Sequence, residues 1–173
     1  MLAAVNTIMN RREWAMLVTL SVLWGGSFFF AEIALESLPP LTIVTLRVGL
    51  AAITLWLVVL ALKLPIPNSP PIWITFLTMG LLNNVLPFSL IVWGQSQISS
   101  GLAAILNATA PLFGVIVAGI LLRDESATPL KITGVVIGFA GVIVMMDLSS
   151  IATSSLLAQL AILAAALSYA CAS

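Results

Sequence analysis

The sequence has no histidine, a single cysteine at Cys171, and only 7% charged residues. Each shortage removes a class of chemistry. Without histidine, Ser–His and Cys–His nucleophile pairs are ruled out. One cysteine forms no disulfide within the chain, and no His or Cys metal cluster is available. Six Lys plus Arg balance six Asp plus Glu, so no basic surface recruits nucleic acid. There is no GxxxxGK(S/T) loop to cradle ATP, no HExxH helix and no pair of intramembrane aspartates. An enzyme is therefore not expected, and no cofactor or metal is implied.

What remains is apolar. Hydrophobic residues make up 61% of the chain, and its mean hydropathy is +1.21. A soluble domain carries roughly 25% charged residues. This composition belongs to an integral membrane protein, an all-α polytopic helix bundle in the lipid bilayer. Spanning the bilayer takes about 20 apolar residues. Six apolar segments follow one another along the chain. They run from Trp14 to about Leu35, Leu41 to Leu62, Ile72 to Trp93, Gly101 to Leu122, and Leu130 to Met146, with a sixth from about Leu156. Pro39 and Pro40, the proline-rich loop Leu64 to Pro71, and the polar turn GQSQISS separate the first four. Arg123 to Glu125, then Asp147 with a Ser/Thr-rich turn, separate the rest. Arg11 and Arg12 before an apolar core also fit a signal peptide. The near-spanning length of the first segment, and the spans after it, mark it as a helix that stays. Residues 1–13 form a lead, 14–147 a five-span unit, and 148–173 a loop and a sixth span.

Loop charges orient the spans. If the helices alternate, Arg11, Arg12, Lys63, Arg123 and Lys131 share one side, while the other has Glu36 and Asp147 and no Lys or Arg. The positive-inside rule then makes the N-terminus cytoplasmic.

Two spans carry the same device. In the fourth, Ala103, Asn107, Ala110, Gly114 and Ala118 fall on one small, polar face. Pro111 has no N–H for the carbonyl four residues back, which belongs to Asn107. In the third, Pro87 does the same to Asn83, with Asn84 beside it. A freed carbonyl in mid-membrane is tolerated only beside polar neighbours or water. Repeated on two successive spans, it favours a polar cavity over a pair of kinked packing helices. Such groups suit neutral or zwitterionic solutes.

Only Glu32 and Arg47 are ionisable residues clearly inside spans, both in the outer half. Burying a charge there costs at least about 2.5–3.5 kcal/mol, so an intramembrane pair is expected. Arg47 would dock an anionic group with Glu32 as a gate or proton carrier, or the pair would only tie two helices together. Trp24 and Ser27 flank Gly25 and Gly26, a small-residue notch that suits a substrate or a close helix crossing. Gly134 and Gly138 form a GxxxG, read as helix packing. Trp56, Trp73 and Trp93 read as interface anchors.

Taken together, LWGGSFFFAEIAL, PPLTIVTLR, GLLNNVLPFSLIVWGQ, GLAAILNATAPLFGVIVAGILLRDE and GVVIGFAGVIVM, in this order, resemble the EamA family of the drug/metabolite transporter superfamily. The resemblance implies ten helices in two inverted five-helix repeats around a central cavity, in a bacterial inner membrane. It implies secondary export or exchange of small metabolites or drugs, with Trp24, Ser27, Asn83, Asn84 and Asn107 along the path and kinks at Pro87 and Pro111. Against that pattern the chain reads as the first repeat plus the opening of the second, the N-terminal half of a longer protein. Its partners would be a small-molecule substrate and a second repeat, in cis or from a partner chain, including a homodimer. Lysine is common in the family where Glu32 stands, and Arg47 matches the family's usual arginine. The alternative is a membrane scaffold or inactive remnant in which the polar residues serve packing.

Overall fold

The computed structural model describes residues 10–121, 128–145 and 155–172. Most of the N-terminal lead, the Arg123–Asp124–Glu125 loop, and Asp147 with its Ser/Thr-rich turn lie outside the described residues. Helices make up nearly all of what is described, and no strand occurs among the described residues.

Helix α1 (Arg11–Leu35) starts before the apolar run does. The reason is a capping box. Asn10 Oδ1 accepts the Glu13 N–H at 3.0 Å, and the Glu13 carboxylate accepts the Asn10 N–H at 2.6 Å. Helix α2 (Pro40–Ala61) opens on a proline whose missing N–H would be unused there. It closes at Lys63, in the left-handed region at φ 50°. The Lys63 N–H reaches the Leu60 carbonyl at 3.2 Å, and the Leu64 N–H the Val59 carbonyl at 3.0 Å. Those two bonds are a Schellman closure. The Trp73 indole N–H donates to the Pro67 carbonyl at 2.8 Å and ties the proline-rich loop to the next helix.

Helix α3 (Pro70–Gln95) is one long span with a π turn at Leu81–Val85. The fourth span is two helices, α4 (Ser100–Asn107) and α5 (Ala110–Leu121). Helices α6 (Pro129–Met145) and α7 (Leu156–Ala172) complete the bundle. Helices α1, α2, α3 and the α4–α5 pair are each long and apolar enough to cross a membrane, and α6 and α7 are shorter apolar helices.

The fourth span is interrupted where the kink is expected. The helix stops at Asn107, four residues before Pro111, and restarts at Ala110. Thr109 opens the restart, its carbonyl accepting the N–H groups of Leu112 at 2.9 Å and Phe113 at 3.1 Å. Pro111 then stands in a first turn, where its missing N–H is harmless.

The sixth span lies at the centre. Helix α7 packs along the C-terminal part of α3 and against α4 and α5. Ala158, Ile162, Ala165 and Ala166 are fully enclosed. Its alanines let neighbouring backbones approach closely, which is how membrane helices gain contact without a hydrophobic driving force. At the α3 crossing, a Cβ on Gly94 would lie 2.7 Å from Ile162 Cγ1 and 3.2 Å from the Ala158 carbonyl oxygen. Phe28, Ile91, Leu102 and Leu106 surround this contact. The outer faces of α1, α2 and the first part of α3 expose Leu, Ile, Val and Trp, as a lipid-facing surface requires.

Candidate functional site

Arg47 stands half-buried in α2. Its guanidinium carbon lies 4.2 Å above the centre of the Phe88 ring. Trp24, Ser27 and Phe28 of α1, Gln95 of α3 and Tyr169 of α7 help close a cavity of about 10 Å³ beside it. That is room for about one water. A wider cleft of about 500 Å³, open on one side, shares Ser27 and Arg47. Its other walls are apolar, among them Leu23, Gly26 and Phe30 of α1 and Ile43 of α2. A planar, weakly hydrated guanidinium suits an aromatic face.

The expected Glu32–Arg47 pair is not formed. Glu32 accepts a hydrogen bond from the Ser100 hydroxyl at 2.5 Å instead. Packing explains the difference: α1 meets the start of α4, whereas α2 lies against the second part of α3. Each charge is met by the helix it faces, a hydroxyl for one and a ring for the other.

Two further bonds cross the bundle. The Gln95 amide donates to the Phe28 carbonyl at 3.0 Å. The Ser168 hydroxyl donates to the Leu82 carbonyl at 2.7 Å. The second answers the proline of α3. In the π turn the Leu86 N–H reaches back five residues to Leu81. On that register the carbonyl that Pro87 deprives is Leu82's, one residue away from the expected Asn83. Pro87 itself is enclosed. Asn83 is exposed and Asn84 half-buried, both within the π turn.

Trp24 and Ser27 therefore share a cavity with Arg47, while Asn83 and Asn84 stand apart from its walls. Asn107 is buried at the α4–α5 break, and its Oδ1 has no hydrogen-bond partner. Pro111 is exposed. Of the two packing glycines, Gly138 lies under Leu112 of α5, where a Cβ would come within 2.6 Å of Leu112 Cδ2. Gly134 faces open space.

The family model of the EamA-like transporter family matches residues 12–147. The chain belongs to that family. Among curated relatives of this EamA-like chain is an uncharacterized transporter of Archaeoglobus fulgidus, 28% identical over 79% of this chain and 48% of the relative. Protein PagO of Salmonella typhimurium is 31% identical over 70% of this chain and 39% of its own length. An uncharacterized inner membrane transporter, YedA of Escherichia coli, is 29% identical over 75% of this chain and 42% of its own. The chain spans about half the length of the curated relatives it matches. No solved structure matches it significantly.

Four residues of this EamA-like site escaped the reading of sequence. Phe88 and Tyr169 flank Arg47. Ser100 and Ser168 each meet a group on another span. A serine in an apolar span usually bonds its own helix, as Ser21 and Ser89 do here. Nothing local marks the two that reach across.

Proposed function

We propose that this chain carries part of the substrate path of a secondary transporter for a small polar or anionic metabolite or drug. One observation carries the reading. Arg47 is a charge inside a span, held on an aromatic face, with no acidic partner among the described residues. An arginine paired with Glu32 would have its charge spent on architecture. This one faces both the small cavity and the open cleft, so it is available to an anionic group of a solute. Trp24, Ser27 and Tyr169 would contact the remainder. Membership of a transporter family supports the reading, and a relative named as an inner membrane transporter supports the bacterial inner membrane as its place. The rest of the path would come from a second five-helix repeat, in the same polypeptide or in a partner chain. The N-terminus would face the cytoplasm. No catalytic step is part of this function.

The test is to produce the chain in a bacterial host and compare metabolites in the medium by mass spectrometry. Cells with wild type, Arg47→Gln and empty vector are matched for membrane abundance. We expect a metabolite class to rise with wild type and to fall about tenfold with Arg47→Gln, the loss of one ordinary charged contact. Identical media from wild type and vector would overturn the proposal.

A further inference from the structure

The break between α4 and α5 gathers oxygen acceptors that the Arg47 site does not use. Asn107 is only 9% exposed, and its Oδ1 is enclosed without a partner. Around it the backbone sends its donors elsewhere. The Thr109 N–H goes to the Leu106 carbonyl at 3.2 Å and bypasses Ile105. Pro111 has no N–H to offer the Asn107 carbonyl. The Leu112 N–H goes to Thr109 at 2.9 Å and bypasses Ala108. The Thr109 hydroxyl donates to Leu106 as well, at 2.6 Å. Leu106 thus takes two donors while the carbonyls on either side of it are passed over. Thr109 is 1% exposed and Leu106 3%, while Ala108 and Pro111 are exposed, so protein encloses the Asn107 side of the turn and leaves the other side open.

An enclosed acceptor without a donor is destabilising, and native proteins leave few of them. Here one side-chain oxygen and its neighbouring carbonyls sit at the negative end of the α4 dipole. Neither α4, α5 nor α7 contributes a Lys or Arg to neutralise them. No carboxylate is present in these helices either, which argues against a divalent ion. Carbonyl and amide oxygens with no formal charge match a compact monovalent cation. In secondary transporters, unwound backbone at the end of a half-helix coordinates such ions.

We infer that the α4–α5 break binds a compact monovalent cation, with Asn107 Oδ1 as its side-chain ligand. The cation is a free sodium ion or the ammonium head of a transported molecule, since both present the same chemistry to these oxygens. A role in driving transport rests on the transport reading above; the binding itself does not.

The test uses the 173-residue chain purified in mild detergent and needs no transport assay. Thermal unfolding is followed in NaCl, methylammonium chloride and choline chloride at matched ionic strength. A ligand that binds only the folded state raises the midpoint as its concentration rises. A rise with NaCl above choline assigns a sodium site. A rise with methylammonium alone assigns the ammonium head of a substrate. Asn107→Leu should raise the half-saturating concentration by about tenfold or more, the loss of one good ligand. Asn107→Asp should keep the rise. The wild-type salt series decides even if Asn107→Leu does not fold. No rise above choline with either salt overturns the inference, as does an unchanged rise in folded Asn107→Leu. Because binding is read on the chain alone, a failed export assay leaves a measured cation effect intact, and the reverse also holds.

Discussion

Ser168 of α7 donates its hydroxyl hydrogen to the Leu82 carbonyl oxygen, 2.7 Å away on α3. It supplies from another span the donor that Pro87 removes from its own. Ser168→Ala should therefore destabilise the bundle by about 1 kcal/mol, within the range for a cross-helix hydrogen bond in a membrane. Returning the N–H with Pro87→Ala should make the serine dispensable. Unfolding of the two single variants and the double variant in detergent gives the coupling, and additive effects would refute the link.

The α3–α7 crossing depends on a missing side chain. Gly94→Ala places a methyl 2.7 Å from Ile162 Cγ1 and near the rigid Ala158 carbonyl. Overpacking of this kind costs about 1–3 kcal/mol. Ile162→Ala in the same chain should recover part of the loss. Gly134→Ala meets open space and should be neutral or gain up to about 1 kcal/mol of helix propensity. Melting midpoints of the three variants test the contrast.

Glu32 and Arg47 answer to different partners, Ser100 for one and Phe88 for the other. Glu32→Gln and Arg47→Gln should then add in their effects on stability to within about 0.5 kcal/mol. Glu32→Leu and Ser100→Ala should not add, since each breaks the same bond. A double-mutant cycle by denaturant unfolding would expose an ion pair as a larger coupling between the two charges.

The Phe88 ring holds the guanidinium in place. Phe88→Leu should keep the fold but lower transport by the equivalent of about 0.5–2 kcal/mol, the worth of a cation–π contact. Phe88→Trp should retain most of it. Export rates at matched membrane abundance are the measurement, and equal rates for all three would refute a role for the ring.

The spans were legible because hydropathy needs no neighbour to be read. The apolar runs locate α1, α2 and α3 to within a few residues. The break in the fourth span was also written locally. Thr109 followed by Pro111 is a helix-start signal, and the length of the apolar run concealed it. What could not be read depends on contacts between distant residues. The π turn shifts the deprived carbonyl from Asn83 to Leu82, where Ser168 answers it from 86 residues away. Arg47 finds a ring instead of a carboxylate because of which helices touch, and composition does not record that. The central position of α7 was hidden for the same reason. Its alanines would look alike on a helix facing lipid.

The separation between Leu82 and Ser168 also orders events during synthesis. When α3 enters the membrane, residue 168 has yet to be made, being 86 positions further along the chain. Until then the Leu82 carbonyl lacks the donor that Ser168 later supplies. Ile162 is likewise made after Gly94, whose open side it fills. The earlier spans are thus synthesised before the helix that packs between them.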